Sequence, residues 1–161
     1  MVAVAVLGVL LGLAVPTFRE LIRNNRIVAQ NNDFISSLHT ARSEAIKRSS
    51  AVTVCASADG ATCAGGTTWT TGWILFVDTN TDGALNGAEV VLRQNGTIVP
   101  GLTLESTALG AIRYNGMGML TGPAETFTLR NSDCVSTTGT EARRIDVAVT
   151  GRVSTTRVNC S

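Results

Sequence analysis

Residues 1–16 read MVAVAVLGVLLGLAVP, apolar or glycine throughout, without a charge, and closed by a proline. A membrane span needs roughly 20 apolar residues, so this stretch is too short to cross on its own. As a signal peptide it lacks the positively charged start, and the residues after Pro16 are not the loose beginning of a mature domain. Residues 17–51 read TFRELIRNNRIVAQNNDFISSLHTARSEAIKRSSA. There Phe18, Leu21, Ile22, Val28, Ile35, Leu38, Ala41, Ala45 and Ile46 recur at helical spacing, with Arg19, Arg23, Arg26, Arg42, Lys47 and Arg48 mostly on other faces. The two stretches therefore read as one helix, an apolar half over 1–16 and an amphipathic half over 17–50, with a tolerated proline between them. At 1.5 Å per residue such a helix is roughly 70 Å long, more than a small domain can bury, so part of it protrudes.

From residue 51 the period changes. AVTVCAS, GWILFVD, EVVLRQ, TLES, AIRYNGM, ETFTLR, RRIDVAV and GRVSTTRV are short and rich in β-branched residues, mostly separated by Gly, Asn, Asp or Thr. Gly65-Gly66 and NSDCVSTTGTE over 131–141 read as loops. The predicted class is α+β: a long N-terminal helix whose C-terminal half covers an antiparallel β-sheet head of about six to eight strands over 51–161. No internal repeat, low-complexity tract or linker interrupts it.

Composition narrows the function. With 13 basic and 12 acidic residues the net charge is +1, which gives the whole chain no electrostatic bias towards nucleic acid or anionic lipid. Any basic site is local: residues 17–50 carry six basic against three acidic side chains, 51–123 two against five, and 124–161 five against four. The four cysteines show no CxxC spacing, which argues against zinc. Three disulfide connectivities are open, of which Cys55–Cys63 with Cys134–Cys160 closes two local loops; the alternative is four buried thiols. The apolar front favours export and hence disulfides.

An apolar helix with a proline near its centre, an amphipathic continuation and a β-rich head resembles the type IV pilins and type II secretion pseudopilins, and in detail the FimT/GspH type of minor pilin. The stretches that carry the resemblance are VAVLGVLLGLAVPTF over 4–18, LHTARSEAIKRSSAVTVCAS over 38–57, GWILFVDTNTDG over 72–83, IRYNGMGMLTGP over 112–123 and IDVAVTGRVSTTRV over 145–158. The resemblance implies a helix that anchors the chain in the bacterial inner membrane, with a periplasmic head, and later packs in a filament core at the cell surface. Its partners would be other pilin subunits, with no small-molecule substrate. The small residues Ala3, Ala5, Gly8, Gly12 and Ala14, with Pro16, would line that filament-core helix. The family's prepilin-peptidase site, a glycine before an aromatic residue or Met followed by TLIEL, does not occur. That places Met1 a handful of residues inside the mature N-terminus, and the whole helix would then span a membrane. DNA-binding FimT-type members carry a GRxR-like motif, where this chain has Gly151-Arg152-Val153-Ser154 and its next arginine at Arg157.

Two constellations carry further chemistry. DTNTDGALNGAE over 78–89 fits the calcium-loop pattern, with Asp78, Asn80 and Asp82 at alternate positions, Gly83 for the turn and Glu89 as a closing ligand. Its flanks read as strands, so a polar hairpin loop without any metal is the alternative. A basic surface could form from Arg143, Arg144, Arg152 and Arg157 on the last strands, joined by Lys47 and Arg48 at the helix end. In-line cations of this kind track double-stranded DNA weakly and in a salt-sensitive way. Catalysis finds no motif: GxSxG, HExxH, P-loop and GxGxxG are all absent, and His39 reads as a helix-surface or packing residue. Trp69 and Trp73, flanking a Gly/Thr-rich loop, are expected at an edge or a partner contact. The resulting expectation is a non-enzymatic minor pilin of a type IV pilus, with a type II secretion pseudopilin and a dedicated DNA receptor of natural transformation as alternatives.

Overall fold

The computed structural model describes residues 2–87, 89–134 and 142–160, with side chains from residue 21 onward. One helix, α1, runs Val2–Arg48 without a break at Pro16. It ends in a Schellman-type turn: Ser49 adopts a φ of 51°, while the Ser50 and Ser49 amides donate to the Ala45 and Ile46 carbonyls at 3.2 Å each. Lys47 and Arg48 in the last turn complement the negative end of the helix dipole.

Eight strands come after it: β1 Val52–Ala56, β2 Trp73–Val77, β3 Val91–Asn95, β4 Leu102–Ser106, β5 Ala111–Tyr114, β6 Glu125–Asn131, β7 Ala142–Val147 and β8 Val153–Val158. Every expected strand segment contributes one. They divide into two four-stranded antiparallel sheets, ordered β3-β2-β1-β5 and β4-β6-β7-β8. Alternation holds in β4 and β6, where Leu102, Leu104, Phe127 and Leu129 point inward and Thr103, Thr126 and Thr128 outward. In β1 and β2 both faces are covered, since Cys55, Ile74 and Phe76 on the outer side pack under Cys63, Leu85 and Ala111. For that reason VTVCA and WILFV read as continuous apolar runs.

α1 lies across the inner faces of both sheets through Ile27, Phe34, Leu38, Ala41 and Ala45, all buried. Phe34 is the hub. Its ring meets Trp69, Trp73 and Phe127 edge-on, with centroids 5.8, 5.0 and 4.8 Å away. The tryptophans are thus not edge or partner residues: both are fully buried. Apart from Phe76 on the outer side of β2, the aromatic side chains of this head gather in one core with Phe34. Leu21, Ile22 and Ile46, assigned to the apolar stripe by spacing alone, are exposed instead. Leu21 and Ile22 precede the first described contacts with the head, while Ile46 lies at its surface beside Gly118.

Disulfides join Cys55 to Cys63 and Cys134 to Cys160. The first pins the 57–63 loop against the outer face of β1. The second ties the segment after β6 to the chain end after β8.

Candidate functional site

Asp78 directly follows β2 and is fully buried. Its Oδ2 accepts from the Thr53 hydroxyl at 2.6 Å and the Gly83 amide at 3.1 Å, and the Arg113 Nε stands 3.7 Å away. The side chain therefore faces the sheet and an arginine. Asn80 and Asp82 form successive Asx turns: the Asp82 amide donates to Asn80 Oδ1 at 3.2 Å and the Ala84 amide to Asp82 Oδ1 at 2.8 Å. The Asn86 amide group adds a bond to Asp82 Oδ2 at 2.7 Å. These donors, the Ala84 amide first, hold the Asp82 carboxyl below its ordinary range. Glu89 reaches back to the Thr79 amide at 2.8 Å and the Asn86 amide at 3.2 Å. Arg113 donates to the Thr81 carbonyl.

Most of the oxygens expected to bind calcium accept instead from donors of the chain itself, with the Arg113 guanidinium beside them, while Asp78 Oδ1 is buried without a hydrogen-bond partner among the described residues. As it stands this is the geometry of a capped hairpin loop. Among the described residues no three His, Cys, Asp or Glu side chains come close enough together to hold a metal ion.

The basic residues separate into three places. Arg143 is only 5% exposed; its guanidinium donates to Asn24 Oδ1 and to the Ala142 carbonyl, each at 3.2 Å. Burial, with the charge of Arg157 beside it, pulls its pKa down. The expectation of a surface cation at Arg143 thus fails, because strand alternation turns the side chain inward against α1. Arg157 is its register partner and is exposed. Arg144 points to the opposite face, 53% exposed and held by Asp146 Oδ2 at 3.1 Å. Lys47, Arg48 and Arg152 lie at the far end of the head, where Glu44 takes Arg48 at 2.6 Å and Lys47 at 3.5 Å. Arg48 above all lowers the Glu44 pKa. No single phosphate track forms from these six.

His39 is exposed on α1. Spacing did not single out Asp33, whose carboxylate joins the helix to edge strand β3 through Arg93 at 2.5 Å and the Asn95 amide at 2.8 Å. An acidic residue directly before Phe34, in a helix with twice as many basic as acidic side chains over 17–50, was the available signal. Nor did it mark the exposed apolar group at the far end of the head, Ile46, Met117, Met119 and Val149, which three distant segments build. Residues 2–16, including Ala3, Ala5, Gly8, Gly12, Ala14 and Pro16, lie in the helix backbone. Among the described residues no helix is long and apolar enough to cross a membrane.

The family model of the type II transport protein GspH matches residues 30–151. No curated protein sequence matches the chain. The fold is similar to the type IV minor pilin FimU of Pseudomonas aeruginosa PAO1, at 22% identity and a TM-score of 0.61, covering 81% of this chain and 88% of FimU. It is also similar to the minor pseudopilin EpsH of the Type 2 Secretion System of Vibrio cholerae, at 14% identity and a TM-score of 0.57, covering 82% of this chain and 97% of EpsH.

Proposed function

The chain belongs to the GspH family of type II transport proteins, and from that premise we propose that it is a minor pilin of a type IV pilus. It is a pilin-type subunit and not an enzyme. In this reading the apolar front of α1 holds the chain in the inner membrane, then leaves the bilayer to pack among the helices of other subunits. The head stays outside that core.

One observation carries the reading. α1 is a single helix of 47 residues, about 70 Å at 1.5 Å per residue. Among the residues whose side chains are described, the head engages it from Arg23 and Asn24 onward, through Asp133 and Arg143. The half in front of Arg19 is uncharged, and its spaced Ala and Gly residues suit close helix contact in an apolar setting.

The test is deletion of the chain followed by complementation. Surface filaments, collected by shearing, should fall in number and return with the full chain, which should appear in them at far below one copy per major subunit. A second reading, a type II pseudopilin, is favoured by the GspH match and by the similarity to EpsH. Loss of protein secretion with filaments intact would establish it in place of the first.

A further inference from the structure

The 78–89 loop joins β2 to β3, and one polar atom at its start is left out of its hydrogen bonds. Asp78 is fully buried. The donors to its side chain all lie on Oδ2: the Thr53 hydroxyl at 2.6 Å and the Gly83 amide at 3.1 Å, with the Arg113 Nε at 3.7 Å. Oδ1 is buried with no hydrogen-bond partner among the described residues. A carboxylate oxygen shut away from water without a donor is costly, and a cation satisfies it as an N–H group would. Thr53 holds this carboxylate from the sheet and Gly83 from the loop, so the orphan oxygen sits at the loop's base.

More oxygen is gathered above it. The Asn80 and Asn86 side-chain amides both donate to Asp82 Oδ2, at 2.9 and 2.7 Å, and Asn80 donates to Asn86 Oδ1 at 3.3 Å. Glu89 closes the loop from its far end, on the Thr79 amide at 2.8 Å. An oxygen that accepts one amide hydrogen keeps a second lone pair for a metal. Asp78, Asn80, Asp82, Asn86 and Glu89 hold the first, third, fifth, ninth and twelfth places of the loop, with glycine sixth, which is the order in which a calcium loop supplies its ligands. Gly83, in that sixth place, has a φ of +80°. Charge agrees with a divalent ion, since three carboxylates beside the single Arg113 guanidinium leave two negative charges uncompensated. Calcium suits a flexible set of carboxylate and amide oxygens, whereas magnesium demands a near-ideal octahedron and gives up its water reluctantly.

We propose that the 78–89 loop is a calcium site, with Asp78 as its buried ligand and Asn80, Asp82, Asn86 and Glu89 completing the set from the outer side. The carboxylates do not converge as the loop lies, so binding draws Asp82 and Glu89 towards Asp78 and turns the two Asn amides away from Asp82. That exchange costs only hydrogen bonds of the loop with itself and leaves the strands in place. Calcium thereby fixes the connection into β3, the strand that Arg93 ties to Asp33 of α1. The site is independent of the filament reading.

The test is thermal unfolding of the full chain in detergent, stripped with EDTA and then titrated with calcium chloride to about 10 mM at constant ionic strength. Extracellular calcium modules bind at about 0.1–1 mM, so Tm should rise by about 3–8 °C over the series, return on adding EDTA, and rise far less with magnesium. Asp82 is exposed and Glu89 half-buried; Asp82→Asn and Glu89→Gln should each remove most of the rise. Asp59→Asn, in a different capped loop, should keep it. No rise in the unaltered chain, an equal rise with magnesium, or a full rise in both loop variants overturns the site. Should a variant fail to fold, calorimetric titration of the unaltered chain decides: a single calcium site per chain supports the proposal, and none, or many weak ones, overturns it.

Discussion

Phe34 has three aromatic neighbours within 5.8 Å, and it connects the helix to both sheets. Phe34→Ala should cost about 3–5 kcal/mol, read as a fall in the urea midpoint at unchanged slope, since the cavity would open between layers that cannot collapse independently. Arginine chemistry divides equally sharply. Arg143→Ala removes a side chain that is packed against α1 and bonded to Asn24 and the Ala142 carbonyl and should lose about 1–3 kcal/mol, mostly as lost packing, while Arg144→Ala, exposed beside Asp146, should stay within about 0.5 kcal/mol. Equal costs for the two would show that Arg143 is not buried. Asp59 supplies the pH dependence. The Ala61 amide, then the Thr62 hydroxyl and amide, hold its carboxyl far below the ordinary range. A depressed native pKa contributes stability that is complete above the unfolded value of about 3.9 and is lost as pH falls through the native value. Thermal stability should therefore fall from about pH 5 to pH 2, and Asp59→Asn should flatten that slope.

Elements were the most legible part of the sequence. The change from helical to alternating period at residue 51 marked the boundary, and each β-branched run became a strand. What spacing missed was the helix stripe itself: Ile27 and Phe34 carry the core, while Leu21, Ile22 and Ile46 sit at helical spacing but are exposed. Periodicity identifies a face but not how far along it a partner extends. The loops were harder, for a different reason. DTNTDG satisfies a calcium pattern and a capped hairpin equally, because both use short polar side chains around a glycine, and spacing does not separate them. The disulfides make these loops part of the structure. Replacing Cys55 and Cys63 by Ala should cost about 2–3 kcal/mol, and replacing Cys134 and Cys160 about 3–4 kcal/mol, because the second pair closes a longer loop. Melting the paired variants under non-reducing conditions checks both values.

At the scale of the whole molecule, charge is dispersed and apolar surface is concentrated, which favours assembly over nucleic-acid capture. With the cations divided among three places, the full chain should bind duplex DNA weakly. The slope of log K against log salt should be no steeper than about −3, corresponding to about three phosphates. A slope near −6, reduced by about 1 in Arg152→Ala, would instead assign the chain to DNA uptake. Length gives the sharper argument, since one helix of 47 residues is about 70 Å long, more than a head of this size can bury. The decisive measurement is the photo-crosslink from Leu10 in the full chain, made in cells bearing filaments and resolved by mass spectrometry. Adducts to the N-terminal helices of other pilin-type subunits are the expected result. Adducts confined to lipid, with filaments present and the chain correctly inserted, would contradict a filament role for α1.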